Sequence, residues 1–243
     1  MESLLLKNIE IDNTWNDFVS NKKILSILSN IEKDIYRKNI DITPNKEKVL
    51  RFLSTSLHDV KVVVLGQDPY PQKGVATGRS FEVGTLKSWK DTYNNISLKN
   101  IIRSIYYAYT SQYKKYSLIK EEIENGFNIL PPNKLFSSLE KQGVLLLNTS
   151  FTCEIGKSNS HAKIWEPFTE ELLKYISEKN KNIIWFLWGN NAINITKNIN
   201  IENKLVSMHP MMCYKKQGRE SDFLFGEINH FKETKNIINW TGI

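Results

Sequence analysis

The sequence predicts an α/β fold: a central, mostly parallel four-stranded sheet flanked by helices on both faces. Three observations predict it. Four strand-sized runs, Val60 to Leu65, Val144 to Leu147, Ile183 to Trp188 and Lys204 to Met208, are separated by segments of helical character. The runs are apolar without alternation, as expected of strands covered on both faces. Each ends in a polar or glycine-containing loop: Gly66-Gln67-Asp68, Asn148-Thr149-Ser150, Gly189-Asn190-Asn191 and His209-Pro210. If the strands are parallel, all four loops meet at one edge, where open α/β sheets bind ligands.

The elements follow in order. From Trp15 through Arg37, the residues Phe18, Ile24, Leu25, Leu28, Ile31 and Ile35 recur at helical spacing and predict one or two amphipathic helices. Thr43-Pro44 is expected to open a helix over Lys46 to Leu53, with proline at an early position where its missing N–H costs little. The aromatic, lysine-rich segment Tyr106 to Tyr116 either stacks bases on a basic face or, more plainly, ends an amphipathic helix whose tyrosines pack at the rim of the core. Asn190 to Asn203 reads as a helix and a loop. No repeat, long Gly/Ser linker or like-charge block marks a boundary, so residues 1–243 are expected to form one domain with a helical N-terminal segment, 1–58.

Composition narrows the function classes. The chain has 243 residues, 40% of them hydrophobic and 24% charged, with 11 Gly and 7 Pro, which excludes collagen-like and disordered proteins. The apolar runs are too short to cross a bilayer. Met1-Glu2 lacks the basic lead of a signal peptide, so a cytoplasmic protein without membrane contact is expected. Cys153 and Cys213 form no C-x-x-C pair, which points to a reducing setting with no metal and no cofactor. The formal charge of +7 suits a polyanionic partner, although lysine-heavy usage in an Asn- and Ile-rich chain also arises from composition alone.

The sharpest local signal is Gly66-Gln67-Asp68-Pro69-Tyr70-Pro71, directly after the first strand. Pro69 fixes the backbone, and Asp68 stands where a strand-end carboxylate can activate water. In isolation, Asp-Pro-Tyr is also an ordinary turn. Further motifs follow in order: GRSFEV from Gly78, KQGVLLLNTSFT from Lys141, NSH from Asn159, WEPFT from Trp165, FLWGNNA from Phe186, and His209-Pro210.

With these strings, the chain resembles the family 1 uracil-DNA glycosylases from about Val60 to Trp240. The family pattern in those places is GQDPYHG with a downstream FSV, QGVLLLN with NSH and WE-x-FT, LLWG, and HPSPLS. The resemblance implies hydrolysis of the N-glycosidic bond of deoxyuridine in DNA, leaving an abasic site. It implies two catalytic residues, Asp68 positioning water and His209 donating to uracil O2. It implies that Asn148 reads the uracil edge, Phe81 stacks on the base, Tyr70 fills the space of a thymine methyl, and Gln67 lends backbone contacts. Ser97, Gly189, Asn190, Met211, Met212, Cys213 and Tyr214 fall in the DNA-binding loops. The implied partner is uracil-containing DNA, single- or double-stranded, bound by a monomer; the sequence identifies no proteinaceous inhibitor. His161 and His230 fall in family-like strings with loop and packing roles, and His58 reads as solvated.

The chain departs from the family pattern where it would handle DNA. Pro71 replaces a histidine. Met211-Met212-Cys213-Tyr214 replaces Ser-Pro-Leu-Ser, which puts Cys213 at the wedge position in an ungapped alignment and leaves Met212 or Tyr214 as alternatives. Tyr93-Asn94-Asn95-Ile96-Ser97 stands for a Pro-rich loop, and Asn190 replaces a serine. A weaker wedge should favour single strands, from which no base need be unpaired. The competing readings are a DNA-binding or replication-accessory relative with weak or no excision, and a glycosylase for another damaged base.

Overall fold

A computed structural model describes residues 3–7, 9–36 and 40–243; Met1, Glu2 and Arg37, used above for the acidic start and the end of a helix, lie outside them. In chain order the helices are α1 (Asn16–Val19), α2 (Lys22–Tyr36), α3 (Lys46–Val49), α4 (Ile96–Thr110), α5 (Tyr116–Glu124), α6 (Pro132–Lys141), α7 (Ala162–Lys179), α8 (Asn190–Thr196) and α9 (His230–Thr234). The strands are β1 (Ile42–Thr43), β2 (Val62–Gly66), β3 (Val144–Asn148), β4 (Cys153–Glu154), β5 (Ile184–Trp188) and β6 (Asn203–Ser207).

Among the described residues, β3, β2, β5 and β6 pair in that order into one sheet, every pairing parallel. The side-chain period of two divides the central strands between two cores. Val63, Leu65, Leu145, Leu147, Trp185 and Leu187 face α2, α7 and Trp15, whereas Val62, Val64, Leu146, Phe186 and Trp188 face α4, α6 and α9. Both faces are therefore covered, as the continuous apolar runs predict. The edge strand β6 differs: Asn203 and Lys204 are exposed and Val206 is 41% exposed. Charge and polarity there blunt an otherwise free pairing edge.

The N-terminal segment helps build the first core. Phe18, Ile24, Leu28, Ile31 and Ile35 are buried, and the buried Trp15 donates from Nε1 to Thr55 O at 2.7 Å. The helix expected over Lys46 to Leu53 is shorter. It ends at Val49 and gives way to a 3-10 turn at Arg51–Ser54. Pro44 precedes the N-cap Asn45 and so stands outside the helix, because Thr43 is held in β1 against Cys153 of β4. This small antiparallel pair has no strong sequence signal at two residues per strand. In the Tyr106 to Tyr116 segment, Tyr106 is buried, and Tyr113, itself 48% exposed, stacks on Tyr107 with centroids 4.1 Å apart, so part of the segment packs at the rim of the core.

Candidate functional site

The parallel register sets the site. Gly66 at the end of β2 lies opposite Asn148 at the end of β3, and β5 and β6 end beside them at Trp188 and Ser207. The loops that follow are tied by backbone and side-chain atoms together. The Gln67 carbonyl accepts from Ser150 N at 2.9 Å and from Thr149 Oγ1 at 2.9 Å, and Asn191 Nδ2 donates to Thr149 Oγ1 at 2.9 Å. Thr149 thus joins the loops after β2, β3 and β5.

Asp68 is half-buried beyond this tie. Its Oδ2 accepts the Asn159 N–H at 2.7 Å, and Gln67 Nε2 donates to Asn159 Oδ1 at 2.6 Å. Burial raises the Asp68 carboxyl above its ordinary value, partly opposed by the backbone donors that favour the anion. Asn159, at φ 61°, is a positioning residue that the sequence reading placed only in a loop string; an Asn in the left-handed region was its available signal.

Asn148 is buried, and its side-chain amide has no hydrogen-bond partner among the described residues. The amide lies across the end of β2. A Cβ at Gly66 would collide with Asn148 Oδ1 and come within 2.7 Å of Ser80 Cβ, so only glycine admits that side chain. A buried amide with unused donors and acceptor is primed for a ligand that pairs with both.

Phe81 and Tyr70 form one wall. The Phe81 ring lies 5.3 Å from Trp188 and 6.4 Å from His209, centroid to centroid. Tyr70 donates from Oη to the Phe81 carbonyl at 3.3 Å, and burial raises its pKa. Gly189, at φ 82°, lets the β5 loop press against His209, whose Cβ would be 2.9 Å from a Cβ placed there. Gly66, Gln67, Gly189, Asn190, Asn191 and His209 line a cleft of about 220 Å³ at this edge.

His209 is oriented by its own turn. The Met211 N–H donates to Nδ1 at 3.2 Å and the Met212 N–H to the His209 carbonyl at 2.9 Å. An Nδ1 that accepts carries no proton, so Nε2 bears it. Burial lowers the His209 pKa from its ordinary value, favouring the neutral ring. The imidazole is therefore a neutral Nε2–H donor.

The residues assigned to DNA loops are placed less uniformly. Asn190 is exposed at the start of α8, and Ser97 lies in the first turn of α4, two residues past the N-cap Asn95. Met211, Met212 and Tyr214 are 54%, 53% and 47% exposed. Cys213 is half-buried, with Sγ donating to Pro210 O at 3.1 Å, so the ungapped wedge position does not project.

The loop is built on anchors that the sequence reading missed. Asp222 is buried and accepts from the N–H groups of Tyr214, Leu224 and Phe225 at 3.1, 2.9 and 3.0 Å. Arg219 Nη2 meets the same carboxylate at 2.8 Å and also donates to Met212 O, while its guanidinium covers the Tyr214 ring at 3.6 Å. Burial pushes Asp222 up, but these donors outweigh it and hold the carboxyl below its ordinary value. From the other side, Asn100 Nδ2 of α4 donates to Pro210 O at 2.7 Å.

Residues 54–231 match the Uracil DNA glycosylase superfamily. The chain belongs to that superfamily. Relatives named uracil-DNA glycosylase include one from Aliarcobacter butzleri, 32% identical over 93% of this chain and 95% of its own length, and one from Buchnera aphidicola, 36% identical over 93% and 94%. The crystal structure of mimivirus uracil-DNA glycosylase has the same fold, with a TM-score of 0.70 and 23% identity over 94% of this chain and 83% of that one. The α/β architecture is thus the glycosylase fold, and Asp68, Asn148 and His209 all lie within the matched span.

Proposed function

We propose that this superfamily member hydrolyses the N-glycosidic bond of deoxyuridine in DNA, releasing uracil and leaving an abasic site, with Asp68 and His209 as its catalytic residues. The observation that carries the reading is the placement, at the carboxyl end of one parallel sheet, of a half-buried carboxylate after β2 and a neutral Nε2–H donor after β6. Bond cleavage makes an oxocarbenium-like sugar and a uracil anion, and each needs its own partner. The Asp68 carboxylate stabilises the cationic sugar and orients the water that adds to C1′. His209 Nε2–H donates to uracil O2 as charge gathers there. Losing one such donor costs on the order of 3 kcal/mol of barrier.

Selection follows from the remaining wall. The unpaired Asn148 amide pairs with O4 and N3–H of uracil and meets a mismatched pattern in cytosine. Phe81 stacks on the base, and Tyr70 occupies the space that a thymine methyl needs. Ser97, Gly189 and Asn190 lie where phosphates pass, while Met212, exposed where Tyr214 is covered by the Arg219 guanidinium, supplies the wedge, since apolar exposed side chains are suited to unstacking a step. A wedge of unbranched Met supports faster excision from single strands than from duplex. Two free cysteines support a cytoplasmic setting.

The test is a uracil-containing oligonucleotide incubated with the protein and then treated with alkali, which cleaves abasic sites. Strand breakage by the wild type, lost in Asp68→Asn and weakened in His209→Ala, is expected. No breakage by the wild type would overturn the excision reading, and breakage indifferent to both substitutions would overturn the assignment of residues.

A further inference from the structure

Resting on the reading of Phe81 as the ring that stacks on uracil, we propose that a buried charge network of Arg79, Glu82, Glu140 and Arg51 is a positioning device that holds that ring in place. Arg79 and Glu82 straddle Ser80 and Phe81 in the chain. Arg79 Nη1 lies 3.0 Å from Glu82 Oε2, and Arg79 Nη2 meets Glu140 Oε2 on α6. Arg51 Nη2 stands 3.8 Å from the same Glu140 oxygen, and Arg51 Nη1 donates to the Thr77 carbonyl at 3.2 Å. The loop before and after the ring is thereby fastened to α6 and to the 3-10 turn at Arg51–Ser54.

Stability alone is a poor account of this network. The Arg79 and Glu82 side chains are 9% and 10% exposed, and taking charges out of water costs more than their attraction commonly returns. The Nε groups of Arg51 and Arg79 are also buried with no acceptor among the described residues, so the desolvation is incompletely offset.

The backbone between the two charges does need holding. Phe81 has φ 63°, a region that bulky side chains rarely occupy and keep only where their surroundings impose it. Ser80 is fixed by its N–H to Leu146 O and its hydroxyl to Val64 O, each at 3.3 Å, and the Phe81 carbonyl by Tyr70. These ties set the inner side of the loop; Arg79 and Glu82 set its outer side. Where the family pattern has FSV, this chain has Phe81-Glu82-Val83, so the acidic member of the pair is a departure of this chain.

The double variant Arg79→Met/Glu82→Gln removes both charges with little change in volume and leaves Glu140 opposite Arg51. It is compared with wild type, Phe81→Ala and Arg79→Lys for competitive inhibition of excision by free uracil, for KM on a single-stranded substrate, and for thermal midpoint. The expected result is a uracil inhibition constant raised about 3- to 10-fold, towards that of Phe81→Ala, with partial recovery in Arg79→Lys. The midpoint should stay within about 3 °C of wild type. Glu82→Ser, a milder change, should shift uracil inhibition in the same direction and serves if the double variant does not fold. Uracil inhibition unchanged in the charge variants but weakened in Phe81→Ala would overturn the positioning role. Inhibition unchanged in Phe81→Ala would overturn the stacking reading and the proposal with it.

Discussion

The loops that end β2, β3 and β6 and the loop from Met211 to Asp222 lie side by side but are held by different means. In the first region backbone groups hold the functional side chains: the Asn159 N–H fixes the Asp68 carboxylate and the Met211 N–H the His209 ring, while the Gln67 carbonyl gathers the Thr149 hydroxyl and the Ser150 N–H. In the second, side chains do it: Asp222 collects three N–H groups, Arg219 clamps Met212 and Tyr214, and Asn100 holds Pro210. On the proposed function, the difference separates two tasks. Bond cleavage needs donors and acceptors fixed to a few tenths of an ångström, which strand ends provide. Handling the strand needs exposed apolar and basic groups on a shaped loop, and several side-chain solutions can shape one.

The largest effect expected on this comparison is at Asp68. Asp68→Asn should lower the single-turnover rate on the order of 10³-fold on single-stranded and duplex substrates alike, because it touches only the chemical step. His209→Ala should cost on the order of 10²-fold or more, again on both substrates. A loss confined to duplex for either variant would merge the two regions.

The pH dependence sharpens the same point. Burial raises Asp68 above its ordinary 3.8 and lowers His209 below its ordinary 6.5. The active forms, carboxylate and neutral imidazole, therefore both prevail at neutral pH, and both are lost as the pH falls. The rate constant should be flat around neutrality and drop on the acid side, beginning above the ordinary carboxylate range. A pH–rate profile that stays flat through that range would contradict the assignment.

Smaller, duplex-selective effects are expected in the second region. Arg219→Ala frees the Met212 carbonyl and uncovers Tyr214, while Asp222 keeps its backbone donors. Duplex excision should fall about 10-fold with single-strand excision nearly unchanged, since only the duplex demands unstacking. The smallest effect concerns charge: Lys215→Ala and Lys216→Ala should each flatten the salt dependence of kcat/KM by about 0.9 in log–log slope if that lysine meets a phosphate. Unchanged slopes would return those lysines to the solvated surface.

How much of this the sequence discloses follows the same division. That Asp68, Asn148 and His209 share one edge is legible because each stands at or just past a strand end, and parallel pairing brings such positions together whatever the intervening chain does; the roles proposed for them rest on the family resemblance. The sheet is legible for the same reason, β6 at Asn203–Ser207 included; only its expected burial on both faces fails, because an edge position admits the exposed Lys204 and Val206. Asp222 was not legible. Its task is to accept N–H groups at 214, 224 and 225, and nothing in a lone Asp between Ser221 and Phe223 reveals a carboxylate with no exposed surface. Cys213 misled for a related reason: an ungapped alignment fixes a position in the chain, whereas the turn at His209–Met212 decides which side chains project.

The most direct test of the separation is one set of single-turnover uracil-release rates, on single-stranded and duplex forms of the same oligonucleotide, for wild type, Asp68→Asn and Arg219→Ala. The predicted result is an equal loss on both forms for Asp68→Asn and a loss on duplex alone for Arg219→Ala. Uracil release undiminished in Asp68→Asn, or an equal loss on both forms in Arg219→Ala, would contradict it.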